Sequence, residues 1–362
     1  MFISNRFEMR IAIDLTALFN RKWTGVELYA VDLYKALLTT GYEIIPIFHV
    51  KNEIDNNQNA YIIPKRNRLW LENISLSYAI RQIKADLVCF PIFAPPIDVY
   101  CIKRMKVVPT VHDLAFMTCY KAVNPVAKYY LVPKRKLSLK KSDAIITISE
   151  TERKQISAIT DIPVYDCGEN ISIDYKNCEK KADISFLTNW NLSSNDYYIS
   201  VSTIEPRKNF KYLLKIMSPV LESTGKKLVL VGRRGWGDDK ELEHLINGMG
   251  NSLVFTEYIS ANCLVSLYRY AYAFILMSLD EGFGRTPFEA VACGCRRVIL
   301  SKIPIFRETF RNDSLFLPLN KEDECKKILL KENIPLVSEE FDIPFDVMEK
   351  RIGRVLDNII AL

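Results

Sequence analysis

Between Leu276 and Gly294 the sequence reads LMSLDEGFGRTPFEAVACG, and two acids in it, Glu281 and Glu289, bracket a loop containing Gly282 and Gly284. An apolar run ends at Ser278. Pro287 then marks a helix start, since proline is favoured at the first helical position, where its missing N–H would go unpaired anyway. Such a loop offers backbone N–H groups at the positive end of a helix dipole, which suits a phosphate. Gly282 and Gly284 let the backbone approach an anion where a Cβ would intrude. An acid beside a phosphate is electrostatically awkward unless it holds hydroxyls, so a sugar is one ligand for Glu281 and plain solvation is the other reading. Glu289 also has two readings. Thr286-Pro-Phe-Glu289 has the spacing of a capping box, or the acid faces a ligand.

Cations lie in STIEPRKNF (202–210), where Arg207 and Lys208 follow an apolar strand-like run at the turn into a helix. On the carboxyl edge of a parallel sheet they meet a phosphate; otherwise they are an exposed basic turn. KVVPTVHDLAF places His112 and Asp113 just past another strand, as site residues or as a structural histidine beside a cap. In FNRKWTGVELYA (19–30), Thr24 and Gly25 open a helix, with Thr24 a natural N-cap. GRRGWGDD (232–239) is a basic, glycine-rich loop after a further strand.

The elements that position these residues are short apolar runs alternating with segments of helical period, the pattern of parallel α/β sheets. Strands are expected at 10–15, 43–48, 86–91, 106–111, 143–149 and 163–167, and again at 197–203, 227–232, 252–258, 273–278, 297–301 and 315–318. A length of 362 residues suits two domains. The polar stretch 174–196 puts the boundary near residue 185, which gives an N-terminal Rossmann-like domain (1–185) and a C-terminal Rossmann-like domain (186–345). An amphipathic helix (346–362) then crosses back to the first domain. Open parallel sheets bind ligands beyond the carboxyl ends of their strands, so two such domains would face each other across a central cleft.

Composition excludes several classes. A formal charge of +6 is modest for this length and argues against a nucleic-acid binder. Nine scattered cysteines and three histidines, with no HExxH, give neither a disulfide framework nor a metal site. No cleavable leader or membrane span is read, so a cytoplasmic protein is expected. The stretch KYYLVPKRKLSLKK (128–141) carries six basic residues and no acid. It suits peripheral contact with an anionic membrane or is a solvated helix face.

Segment 276–294 resembles the signature of the retaining GT-B glycosyltransferases of family 4 (group 1), a Glu, seven residues and a second Glu around a glycine loop. Glu281, Glu289 and the Ala292-Cys293-Gly294 ending carry it, and TIEPRKN resembles the subgroup that includes bacterial surface-polysaccharide mannosyltransferases. The resemblance implies that Glu281 holds donor-sugar hydroxyls and Glu289 the ribose, with N–H groups of Gly284, Arg285 and Thr286 on the diphosphate. Lys208 binds the diphosphate as well. Thr203 stands where the family usually has an arginine, and Arg207 supplies that charge. His112 lies near the donor sugar, and Thr24 and Gly25 resemble the first glycine loop, against the diphosphate or the acceptor. The implied activity is metal-independent hexosyl transfer, with no cofactor, from a nucleotide-diphosphate sugar to a lipid-linked or polysaccharide glycan acceptor. GDP-mannose is the first candidate donor, then dTDP-rhamnose or a UDP-sugar. The alternatives are a catalytically silent nucleotide-binding scaffold of the same fold and a sugar-nucleotide epimerase.

Overall fold

The computed structural model describes residues 9–18, 23–49, 59–64, 67–114, 127–233, 240–257, 259–331 and 333–362. The loops 19–30 and 232–239 singled out above fall partly outside these residues. The chain divides into two compact units. The first comprises the residues up to Asn170 together with Asp346–Leu362, the second Ile171–Phe345.

In the first unit the strands are β1 (Arg10–Asp14), β2 (Glu43–Phe48), β3 (Tyr61–Ile62), β4 (Leu87–Phe90), β5 (Lys106–Val111), β6 (Ile145–Thr147) and β7 (Val164–Asp166). They form one parallel sheet in the order β3-β2-β1-β4-β5-β6-β7. Ile11, Ala12 and Ile13 of β1 and Leu87 and Val88 of β4 are fully buried, as strands covered on both faces require. The helices are α1 (Gly25–Leu38), α2 (Leu76–Ile83), α3 (Val132–Lys141) and α4 (Glu150–Ser157). A π-helical turn precedes two of them, Leu71–Ser75 before α2 and Ala127–Leu131 before α3.

The second unit holds β8 (Tyr197–Val201), β9 (Lys227–Val231), β10 (Leu253–Phe255), β11 (Ala273–Leu276), β12 (Val298–Ser301) and β13 (Leu315–Leu317), all parallel in the order β10-β9-β8-β11-β12-β13. Its helices are α5 (Phe210–Thr224), α6 (Lys240–Gly248), α7 (Ala261–Tyr270), α8 (Arg285–Ala292), α9 (Pro304–Phe310) and α10 (Glu322–Lys331). Each sheet has a point where strand order reverses, between β1 and β4 in the first and between β8 and β11 in the second. Open parallel sheets bind ligands at such points, beyond the carboxyl ends of the strands.

Composition puts the boundary near residue 185, whereas the compact units divide after Asn170. The polar segment 171–190 packs onto the second unit: the Asp183 amide donates to Ser266 Oγ on α7 at 2.9 Å, and Cys178 Sγ lies 2.9 Å from Cys293 Sγ. Polarity reported exposure along this segment, and specific contacts set its allegiance. The last helix, α11 (Val347–Ile360), packs in the first unit, where Met348, Ile352, Leu356 and Ile359 are buried. Asn170 fixes its start, accepting from the Met348 amide at 3.0 Å and donating to Glu349 at 2.8 Å.

Candidate active site

At the reversal point of the second sheet, β8 ends at Val201 and its loop runs through Thr203 to a short turn, Pro206–Lys208. Asn209, at φ 56°, closes that turn in the left-handed conformation that asparagine tolerates. The backbone beyond β11 is tied to it, with the Leu279 amide donating to Arg207 O at 2.8 Å. These constraints bring Arg207, Lys208 and Glu281 together. Arg207 Nη1 lies 2.8 Å from one carboxylate oxygen of Glu281, and Lys208 Nζ lies 2.6 Å from the other. Ser278 donates to that second oxygen at 2.6 Å and is held through its own carbonyl by the Ser301 hydroxyl.

Glu281 is 5% exposed, and burial alone would raise its pKa. The charges of Lys208 and Arg207 and the hydrogen bonds outweigh burial and bring it down to about 2. At neutral pH it is therefore a carboxylate that only accepts hydrogen bonds. Arg207 also donates to Asp280 O at 2.8 Å and pairs with Glu205 at 3.2 Å. Two cations thus balance two acids here.

Next to this cluster, α8 begins at Arg285 rather than at Pro287. Its N-cap is Gly284 at φ 83°, and a Cβ there would lie 2.5 Å from Phe306 Cε1. Glycine is the residue that fits both demands. Pro287 becomes the third helical residue, still within the turn whose N–H groups lack intrahelical partners. The capping-box reading of Thr286 and Glu289 is thereby corrected, because Glu289 sits in the second turn, too far along to reach the cap. It is buried instead, with Arg285 Nε at 3.9 Å and the hydroxyls of Tyr175 and Tyr268 as its neighbours. Burial raises its proton affinity against the opposing pull of Arg285 and the two hydroxyls. The amides of Arg285 and Thr286 open the helix beyond Gly284. Thr203 is half-buried in the β8 loop, next to Gly232, whose Cβ position would meet Ser202 O at 2.0 Å. It joins none of the hydrogen bonds of the Glu281 cluster.

Gly25 and His112 belong to the first unit. Gly25 is the first residue of α1, and Thr24 is the N-cap, its amide donating to Glu27 Oε2 at 2.9 Å. His112 follows β5 and lies 2.7 Å from Pro91 O through Nε2. A carbonyl only accepts, so Nε2 carries the proton and Nδ1 is left as an acceptor. The Tyr29 ring meets the imidazole edge-on at 4.7 Å. Burial lowers the proton affinity of His112, against the opposing pull of the Pro91 carbonyl and Asp113, and favours neutral imidazole.

At this sheet's reversal point stands Asp14, 2% exposed and accepting from the Thr16 amide at 3.0 Å and hydroxyl at 2.6 Å. Burial pushes it up to about 6, and Glu72 adds to the effect. The two π-helical turns meet beside it. Asn73 donates to Tyr130 Oη at 2.6 Å, Tyr130 donates to Glu72 at 3.3 Å, and Lys134 donates to Asn73 at 3.1 Å. Lys134, read in the sequence as part of a basic surface stretch, is 5% exposed and belongs to this internal network.

Four partners of the site were missed in the sequence. Ser278, Glu205, Tyr175 and Tyr268 reach it through contacts of tertiary origin. Ser278 alone had a positional cue, the end of an apolar run.

Two doubly wound parallel sheets, one carrying an ionised acid between two cations beside a helix N-terminus at its reversal point, define a two-unit α/β enzyme of the GT-B architecture. Residues 189–331 match the family described as glycosyl transferases group 1, and residues 23–164 match glycosyltransferase family 4. The chain is 26% identical over 332 residues to the O-antigen chain mannosyltransferase B of Escherichia coli, covering 85% of this chain and 86% of that one. It is also 26% identical over 253 residues to the O-antigen chain mannosyltransferase RfbU of Salmonella typhimurium, covering 68% of each. Among solved structures, the sucrose-phosphate synthase of Thermosynechococcus elongatus superposes with a TM-score of 0.73 at 15% identity, over 98% of this chain and 99% of that one. Anabaena HepE in complex with UDP and glucose gives 0.68 at 14%, with the same coverage. The chain belongs to the family 4, group 1 glycosyltransferases.

Proposed function

We propose that this glycosyltransferase moves a mannosyl unit from GDP-mannose to a lipid-linked or polysaccharide acceptor in cell-surface glycan synthesis, at the cytoplasmic face of the membrane. Transfer proceeds with retention of configuration and without a metal ion. The observation that carries the reading is the Glu281–Arg207–Lys208 cluster beside the Gly284-capped start of α8. Breaking the bond between sugar and diphosphate leaves negative charge on the leaving phosphate. Lys208, Arg207 and the helix N-terminus stand where fixed positive charge stabilises it. Glu281 accepts sugar hydroxyls, Glu289 the ribose hydroxyls, and the amides of Gly284, Arg285 and Thr286 the diphosphate.

Glu281 and Glu205 already balance Arg207 and Lys208. The diphosphate therefore draws its compensation from the α8 N-terminus and from sharing Lys208, whose ammonium has three donors and spends one on Glu281. Thr203 lines the β8 loop, and Gly25 and His112 serve from the first unit, His112 as a neutral group orienting the donor sugar. The acceptor hydroxyl attacks from the leaving-group side and its proton passes to the departing phosphate. The mannosyltransferase names of the relatives support the sugar, and the UDP complex of a fold neighbour supports a nucleoside diphosphate.

Thermal stabilisation by GDP, UDP and dTDP, with and without EDTA, tests the donor side, since a ligand of the native state raises Tm. A GDP-selective shift insensitive to EDTA is expected, followed by α-configured product from GDP-mannose in an NMR assay. Absence of any nucleotide shift overturns the reading, and an inverted anomer overturns retention.

A further inference from the structure

In the first unit six exposed large apolar side chains come from the run 69–78 and from Ile97 and Tyr129, whereas Leu38, Ile62, Ile159 and Leu362 lie in other stretches. Along the helical run 68–83, Trp70, Ile74 and Tyr78 recur four residues apart and are 50%, 48% and 61% exposed, with Leu69 beside them at 60%. That spacing places them on one side of the helix. The other side, with Leu71, Leu76, Ala79, Ile80 and Ile83, is already buried in the core. A helix apolar on both sides has a second apolar medium to meet.

Two neighbouring segments extend the face. Tyr129, 80% exposed, adjoins Tyr130, which is hydrogen-bonded to Asn73. Ile97, 61% exposed, adjoins Asp98, which binds Ser77 at 2.6 Å and Arg81 at 3.0 Å. Among the described residues, the exposed large aromatic side chains are Trp70, Tyr78 and Tyr129, and all belong to this face. The exposed apolar residues of the second unit, such as Ile184, Leu279 and Leu330, are aliphatic and come from separate stretches.

The charges around the face have one sign. Arg81, Lys84, Lys136, Lys140 and Lys141 are exposed, while the single acid within 67–84 and 129–141, Glu72, is buried. Asp98 is paired with Arg81. Protein interfaces are depleted in lysine, whereas tryptophan and tyrosine framed by lysines suit the boundary between lipid headgroups and acyl chains. None of the described helices is long and apolar enough to cross a membrane, so such contact would be from one side.

We infer that the face built on Leu69, Trp70, Ile74, Tyr78 and Tyr129, framed by Lys136 and Lys140, docks the protein onto an anionic membrane surface. It deepens the function proposed above by supplying the surface at which a lipid-linked acceptor is met, and it rests on that reading for its purpose alone. The basic stretch read from the sequence contributes the frame, and the apolar insertion comes from a helix that composition did not mark.

Flotation of the full chain with phosphatidylcholine vesicles, with and without about a third phosphatidylglycerol, tests this without donor present. Wild type is expected to bind the anionic vesicles at least tenfold more tightly than the neutral ones, and less so as salt rises. The triple substitution Trp70→Ser, Ile74→Ser, Tyr78→Ser and the double Lys136→Glu, Lys140→Glu should each lose tenfold or more. Leu330→Ser, an exposed apolar change in the second unit, should lose nothing. The GDP thermal shift of the triple variant should match wild type, which separates a failure here from a failure of the donor reading. Equal binding to both vesicle types, or unchanged binding by both variants, overturns the inference. So does self-association relieved by the triple variant in a protein that ignores vesicles, which would make the face a protein interface.

Discussion

At the reversal point of the second sheet, Glu281 is ionised and held by Arg207, Lys208 and Ser278; at that of the first, Asp14 is buried against Thr16 with its proton affinity raised. The same topological crevice thus holds opposite electrostatics. Both acids are desolvated, so burial does not separate them. Two cations within 3 Å do, against a single more distant lysine, Lys134, shared with Glu72 and Asn73. A charged, poised crevice suits a ligand that arrives with charge. The network around Asp14 is closed on itself and serves the fold.

Replacing Glu281 by Ala breaks the charged side of this comparison and carries the largest expected effect. Transfer should fall by about a thousandfold, the scale of removing a group aimed at the reacting centre, while the nucleotide thermal shift persists because Lys208 is released rather than lost. Transfer above a tenth of wild type would sink the assigned role. The pH dependence follows from the lowered pKa. Glu281 stabilises the fold above pH 4.5, and the contribution is lost as pH falls toward about 2. The Glu281→Gln variant should therefore show a shallower acid transition.

Gly284→Ala probes the helix entry beside the cluster. A Cβ at φ 83° meets the buried Phe306 ring, and strain plus overpacking should cost about 3 kcal/mol, read as a lower urea midpoint and a weakened nucleotide shift. Wild-type stability would mean that the loop relaxes without cost and that glycine there is not a geometric requirement.

Asp14→Asn sharpens the quiet side and carries the smallest effect. The folded value of about 6 exceeds the ordinary 3.8, so the fold favours the protonated acid; that contribution is present below pH 3.8 and lost as pH rises through 6. An amide keeps the acceptor for Thr16 and has no charge to desolvate. A gain of about 1–2 kcal/mol is expected at pH 8 and none at pH 4, measured by denaturant unfolding. A gain at neither pH would mean that Lys134 fully compensates an ionised Asp14, and the two crevices would then be alike.

Much of the scaffold could be read from the chain, for a physical reason. A strand covered on both faces must be continuously apolar, so β2 and β5 were delimited to the residue and most others within one or two. β3 escaped because Tyr61 and Ile62 are too short a run to register. The start of α8 was misplaced because Pro287 is acceptable throughout a first turn, while the true signal, the left-handed conformation of Gly284, exists only in three dimensions. Glu281, Arg207 and Lys208 were named singly. Their union spans over seventy positions of sequence, and no local pattern encodes it. Lys134 shows the opposite failure, since a lysine amid five other basic residues reads as solvated and is in fact internal.

The return of α11 to the first unit orders events during synthesis. The second unit lies wholly within one stretch, Ile171–Phe345, whereas the first lacks a helix of its core until residues after Asp346 emerge from the ribosome. The left-handed Gly168, where a Cβ would meet Val347 Cγ1 at 2.4 Å, belongs to a seam that cannot form before then. The part made first is consequently the part completed last. During that interval the surface of α1 that α11 covers is open to chaperones, and shortening the chain by its final helix would injure the domain at the opposite end of the sequence.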